Sequence, residues 1–201
     1  MKKTLFFVAF ICLLGRVGFS QAVEEGNSLI DASYGWPNLW TSVFKTAVTD
    51  AYSTDVKVGS LGPISVQYEY MVSDKMGFGI IFGYSNSKVS YKEYNDFDAV
   101  EYKYELSVPR MRFMPKFAVH FGNSDVFDPY WLIAAGYGTY SFKYDTNDPN
   151  YNDSNFNMNI APVAFRTAFG GRYFFSDAIG AKFEIGFGGG GLLEFGLTAR
   201  F

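Results

Sequence analysis

Apolar and polar residues alternate with a period of two along most of this chain, and the clearest run is at its C-terminus. Leu193, Phe195, Leu197, Ala199 and Phe201 alternate there with Glu194, Gly196, Thr198 and Arg200. Side chains in a strand point to opposite faces in turn, so one face of this strand is apolar and the other charged or small. The preceding stretch sets Ala181, Phe183, Ile185 and Phe187 against Lys182, Glu184 and Gly186, and Gly188 to Gly191 joins the two as a hairpin. Upstream, Val163, Phe165, Phe169 and Tyr173 alternate with Arg166, Ala168, Gly170 and Arg172. Met111, Phe113, Phe117 and Val119 likewise oppose Arg110, Arg112, Lys116 and His120.

The same alternation holds for Ile64, Val66, Tyr68 and Tyr70 against Ser65, Gln67 and Glu69, and for Met76 to Tyr84 against Gly77, Gly79 and Gly83. Ile81 breaks it, and Pro115 predicts a bulge, because a proline inside a sheet removes a ladder hydrogen bond. Residues 28–36 place Ile30, Ala32, Tyr34 and Trp36 against Asp31 and Ser33. Residues 129–142 are apolar on both faces; the glycines at 136 and 138 favour Trp131, Ile133, Ala135 and Tyr137 facing out. Eight strands result, near 28–36, 62–72, 76–87, 105–120, 129–142, 162–174, 179–187 and 192–201. Connections at 72–75, 121–128 and 175–178 are short and those at 37–61, 88–104 and 144–161 long, the asymmetry of a transmembrane barrel with both ends in the periplasm. The short Gly188 to Gly191 link breaks that rule. Tyr70-x-x-Ser73-Asp74-x-x-Gly77 recurs as Tyr173-x-x-Ser176-Asp177-x-x-Gly180, which supports the register of two tight turns.

Both ends of the chain bear on where it goes. Met1-Lys2-Lys3, the apolar run Leu5 to Leu14 and Ser20-Gln21-Ala22 follow the order of a cleaved secretory signal. Residues 1–22 are therefore expected to be removed, leaving 23–201 as one barrel domain. Cys12, the single cysteine, lies within that signal and lacks the flanking order of a lipoprotein anchor. Removing Lys2, Lys3 and Arg16 from the 17 basic residues leaves 14 against 20 acidic, a formal charge of −6 that gives nucleic-acid binding no support. No segment of 18 or so residues after the signal is continuously apolar, which excludes a helical membrane protein.

Alternation alone does not say which face is inside; volume does. An eight-stranded barrel has an interior just wide enough for side chains to fill, and rows of Phe, Tyr and Leu from every strand would overfill it. The expected fold is thus an all-β, eight-stranded antiparallel up-and-down transmembrane barrel, aromatics toward lipid. Its interior charges are Glu69, Arg110, Arg112, Lys116, Arg166, Arg172, Lys182, Glu184, Glu194 and Arg200. In so narrow a space they must pair or keep water, so they form either a salt-bridge plug or an ion path.

The terminal Phe201, with apolar residues at every second position before it, resembles the C-terminal signature of outer-membrane proteins. The stretch Gly170-Gly171-Arg172-Tyr173-Phe174-Phe175-Ser176-Asp177 with its glycine-rich continuation, and Pro129-Tyr130 opening strand five, resemble small barrels of the OmpX and OmpA-transmembrane type. That resemblance implies an integral outer-membrane protein of a Gram-negative bacterium, recognised by the barrel assembly machinery through Phe201. The chain departs from OmpA in lacking a periplasmic domain and from OmpX in its long first loop.

The loops add little chemistry. Leu39, Trp40, Val43, Phe44, Ala47, Val48 and Ala51 are spaced as one face of a short helix, which caps the barrel mouth, lies at the headgroups or docks a partner. Asp145 to Asp153 is rich in oxygen ligands but lacks a complete calcium-loop spacing, and reads as a solvated loop. Residues 91–104 alternate Tyr with charge and extend strands three and four above the membrane. His120, the only histidine, sits near the periplasmic rim with a structural role, and no phosphate loop, metal triad or nucleophile elbow appears. The reading is a non-enzymatic barrel without a cofactor, contacting outer-membrane lipid, that contributes to envelope integrity or binds an extracellular or envelope protein through its loops. The alternatives are a narrow, porin-like pore and a lipid-modifying enzyme.

Overall fold

The computed structural model describes residues 22–37, 41, 56–95, 100–122, 124–150, 154–156 and 162–201. The expected signal segment up to Gln21, the helical face from Leu39 to Ala51 and the end of the oxygen-rich loop at 151–153 lie outside the described residues.

Ten strands follow one another: β1 (Ser28–Trp36), β2 (Lys57–Ser73), β3 (Met76–Asn95), β4 (Val100–His120), β5 (Phe127–Tyr140), β6 (Phe142–Thr146), β7 (Ser154–Phe156), β8 (Val163–Phe174), β9 (Ile179–Gly188) and β10 (Leu193–Arg200). β1 to β5 and β8 to β10 form a closed ring, each antiparallel to the next, and β10 returns to β1 with Tyr34 opposite Phe195. Closure leaves no unpaired edge around the ring, as a sheet surrounded by hydrocarbon requires. Among the described residues no helix is long and apolar enough to cross a membrane.

The strand pattern decides the inversion question. Phe165, Phe183 and Phe195 are 41%, 38% and 55% exposed, while their sequence neighbours Arg166, Lys182 and Glu194 are 1%, 2% and 1% exposed. The outer surface is a continuous aromatic and aliphatic coat, with ring contacts such as Phe183–Phe195 at 5.1 Å and Phe78–Phe117 at 5.0 Å. A coat that extensive far exceeds the apolar patches that soluble proteins expose. On β9 it runs from Ile179 to Phe187, about 26 Å of strand at ~3.3 Å per residue. Tilted by ~40°, that covers about 20 Å of a ~25 Å apolar band.

Inside, the lumen has two walls. Ile81, Met114, Ala118, Leu132, Ala134, Ala164 and Ala168 form an apolar wall on β3, β4, β5 and β8, and the charged residues fill the remainder. Ile81, the misfit in the alternation, is thus a core residue. Leu29, Met71 and Phe174, with Val23 beneath them, seal the end of the barrel that carries the tight turns. β5 faces as expected, with Ala135 and Tyr137 out and Leu132 and Ala134 in.

Three expectations are corrected. The connection at 37–61 is shorter than expected, because β2 begins at Lys57, while β3 running to Asn95 and β4 starting at Val100 match the extension expected of residues 91–104. Tyr and charged residues alternate there as they do within the barrel, so the ladder continues beyond it. The third long connection contains β6 and β7: β6 pairs with β4 at Tyr104–Ser107, and β7 pairs with β6. Finally, no bulge occurs at Pro115. Met114, Pro115 and Lys116 pair in register with Ile81, Ile80 and Gly79 of β3, and the β4–β5 ladder keeps its register across the two unpaired positions, 114 and 115. The missing amide is absorbed by that short break, beside Gly136, where an added Cβ would lie 2.2 Å from the Phe113 carbonyl oxygen.

Candidate functional site in the barrel lumen

Because inward positions recur at every second residue on eight tilted strands, charges far apart in sequence meet at the same height. Arg172 on β8, fully buried, is the hub of the half nearer the turns. Its guanidinium lies 2.9 Å from Asp31 Oδ2, 2.6 Å from Glu69 Oε2 and 2.9 Å from Asp128 Oδ2. It also lies over the Tyr130 ring, 4.3 Å from its centroid, a cation–π contact. A planar fork that donates to several carboxylates at once is what distinguishes arginine from lysine at such a node. Glu69 accepts from Lys116 at 2.9 Å as well. His120 bridges two of these acids, with Nε2 2.8 Å from Glu69 Oε1 and Nδ1 2.7 Å from Asp128 Oδ1. Carboxylate oxygens only accept, so the imidazolium form, with two N–H donors, satisfies both contacts.

Toward the middle of the barrel Glu184 becomes the hub. It lies 2.7 Å from Lys182 Nζ and 2.8 Å from Arg166 Nη2, and accepts from the Tyr130 hydroxyl at 2.8 Å. Arg166 reaches on to Glu194 at 3.2 Å. Glu194 also accepts from the Ser33 and Ser65 hydroxyls at 3.1 and 2.9 Å, while Lys182 stands 3.5 Å from Asp31 and links the two hubs. Five carboxylates thus face Lys116, Arg166, Arg172, Lys182 and His120, a set that balances when His120 is charged. Gly190, at φ +156, lets the β9–β10 hairpin pass where an added Cβ would lie 2.4 Å from both Arg166 Nη1 and Glu194 Oε1.

Three of the ten residues expected inside stand apart from these hubs. Arg200 has inward parity but sits at the turn end, part-buried, donating to the carbonyls of Ala22 and Asp177 and stacking on Phe174. Arg110 and Arg112 are buried at the opposite, loop end; Arg110 donates weakly to Ser87 Oγ at 3.5 Å. Phe201, the expected assembly signal, exposes its ring and pairs its backbone with Ser28.

No family model and no curated protein sequence matches the chain. Its structure is similar to three solved outer-membrane barrels. The N-terminal β-barrel domain of Pseudomonas aeruginosa OprF is 11% identical, covering 89% of this chain and 100% of that one, with a TM-score of 0.47. OprG from the same organism is 12% identical, covering 89% and 97%, at 0.49. Ail of Yersinia pestis, solved with the heparin analogue sucrose octasulfate, is 12% identical, covering 88% and 99%, at 0.46. At these identities and scores the likeness assigns neither ligand nor role.

Sequence reasoning missed Asp31, Asp128 and His120 as members of the network. Asp31 and Ser33 do alternate with apolar neighbours, which gives their inward parity, but a lone acid on a short strand reveals no partner. Asp128 was placed in a turn, whereas β5 begins at Phe127 and turns its carboxylate inward. Outside the barrel, the oxygens of the third connection are taken by the chain itself. Asp148 accepts from Tyr104 Oη at 2.9 Å and from the Asn150 amide at 2.9 Å, and Asn147 Oδ1 accepts from the Lys103 amide at 2.6 Å. Among the described residues no group of three or more His, Cys, Asp or Glu is arranged to hold a metal ion.

Proposed function

We propose that this protein is a non-conducting, non-enzymatic barrel of the outer membrane that holds a stiff sheet above the lipid as a binding surface for another molecule. The observation that carries the first half is the lumen, where Lys116, Arg172, Lys182, Glu69 and Glu184 all have side chains with 0% exposure. Ions crossing this section would have to break several charge-assisted hydrogen bonds at once. Removing one partner of a buried pair costs ~3–5 kcal/mol, so the paired network opposes ion passage.

The second half is supported by strand length. β3 and β4 have 20 and 21 residues, about twice the ~9–11 needed to cross the bilayer. The excess, joined by Lys57–Leu61 of β2 and by β6 and β7, stands beyond the loop end of the barrel. Tyr91 and Tyr104 stack there at 5.2 Å, and Lys92–Glu101 and Lys103–Glu105 pair at 2.7 and 3.2 Å. In this reading residues 1–22 are removed on export, Phe201 serves assembly, both termini lie in the periplasm and the sheet faces outward from the cell.

Planar-bilayer recording of the purified, refolded protein tests the closed lumen. The expected trace shows no steady conductance above baseline. Reproducible ohmic steps of constant size would overturn the reading in favour of a pore.

A further inference from the structure

The loop end of the lumen holds a cavity of about 360 Å³. Arg110 and Arg112 of β4, Tyr140 of β5 and the backbone of Gly188–Gly190 line it, and Phe165 and Phe187 form its outer rim. Arg112 is 8% exposed, its Nε has no hydrogen-bond partner, and no carboxylate of the described residues lies within ion-pair distance of it. All other cations of the lumen proper that are this deeply buried, from Lys116 to Lys182, face carboxylates or, for Arg110, a serine hydroxyl. Glu194 acts on this guanidinium only from beyond ion-pair distance, and a deeply buried cation without a direct partner is stabilised by an anion brought into the cavity that it lines.

The site is also shaped around that side chain. Cβ atoms added at Gly83 and Gly189 would lie 3.2 Å from Arg112 Nε and 2.8 Å from Arg112 Cδ, so glycine at both positions gives the arginine its room. Arg110 and Arg112 lie two residues apart on the inward face of one strand and line the same cavity, and two guanidinium groups supply enough donors for the several oxygens of a phosphate. The rim adds a second property. Phe165 and Phe187 are outward residues, 41% and 68% exposed, so the cavity opens where the lumen meets the lipid-facing coat.

We propose that Arg112, with Arg110 beside it, forms a binding site for a phosphate monoester at the loop end of the barrel. The group comes from a phosphorylated lipid headgroup whose chains lie along the rim, or from a free phosphate ester in solution. This goes beyond the proposed role of the sheet and does not depend on it.

Isothermal titration of the full folded protein in non-ionic maltoside detergent and phosphate-free buffer tests the site. Inorganic phosphate is the probe in one arm and dihexanoyl phosphatidic acid in the other. Saturable binding is expected in at least one arm, weakened at least tenfold by Arg112→Gln and left unchanged by Lys75→Gln in the exposed turn between β2 and β3 at the opposite end of the barrel. Gly189→Leu keeps both charges but fills the cavity, and is expected to weaken binding as strongly; folding of every variant is checked by heat-modifiable gel mobility. Tighter binding of the lipid than of phosphate assigns the site to a headgroup, and equal binding assigns it to a free ester. No saturable binding in either arm, or unchanged affinity in both Arg112→Gln and Gly189→Leu, overturns the proposal.

Discussion

The two halves of the lumen solve the same problem in different ways. Nearer the turns and in the middle, every buried cation faces carboxylates, and Arg172 alone meets three of them. At the loop end Arg112 is buried as well, but no acid lies within ion-pair distance and Glu194 acts on it only from farther off. Paired charge holds the barrel wall together, whereas charge left uncompensated at a cavity is available to something that is not part of the chain. Burial alone therefore does not separate a structural residue from a binding one; the partner does.

The largest effect that sharpens this contrast is expected from Arg172→Leu, which leaves Asp31, Glu69 and Asp128 buried together. A loss of about 3–5 kcal/mol is expected, measured by urea unfolding of the refolded protein in detergent or lipid. Arg112→Leu, an equally drastic change on paper, is expected to shift stability by no more than about 1 kcal/mol and in the stabilising direction, because it removes a buried charge that no acid pairs with directly. Equal destabilisation by the two variants would erase the distinction between the halves.

A smaller effect concerns the sheet beyond the membrane. Hydrogen bonds from Lys88 first, then Lys103, outweigh partial burial and hold the Glu105 carboxyl below its usual range. A carboxyl whose folded pKa is lowered contributes stability above its unfolded pKa, and that contribution is lost as pH falls through the folded value. Amide protection in the upper parts of β3 and β4, taken relative to the intrinsic exchange rate at each pH, is therefore expected to fall on acidification through the carboxylate range. Glu105→Gln should flatten that dependence and leave the barrel's own exchange unchanged. The effect is modest, because the lysine partners are exposed and the pairs are screened by solvent.

How much of this was legible in the sequence follows from what a period of two encodes. Parity is local, so the inward orientation of Arg166, Arg172, Lys182, Glu184 and Glu194 can be read directly from their apolar neighbours. Height and partner are not local. They depend on strand stagger around the closed ring, which brings Arg172 beside Asp31 from 141 residues away, and no single strand carries that information. Arg200 shows the same limit from the other side, since its parity is inward but its position at the turn end keeps it out of the network. The Tyr and charge alternation over 91–104 marks how β3 and β4 run on past the membrane, whereas the start of β2 at Lys57 carries no such alternation. Pro115 misled because a missing amide needs only a local break in pairing, not an extra residue.

The claim on which all of this rests is that the aromatic face meets lipid while the ionic face fills a closed lumen. Cys12, the sequence's single cysteine, falls in the segment expected to be removed, so one engineered cysteine at a time can carry a fluorescent label in the mature chain. Labels at Phe183, Phe195 and Phe169 in lipid vesicles should be quenched strongly by brominated or spin-labelled acyl chains and weakly by aqueous iodide. Thr198→Cys, on the inner face of β10, should resist both quenchers. Iodide quenching at the three phenylalanine positions with none from the acyl chains would contradict the orientation of the barrel wall, and with it the assignment of the lumen.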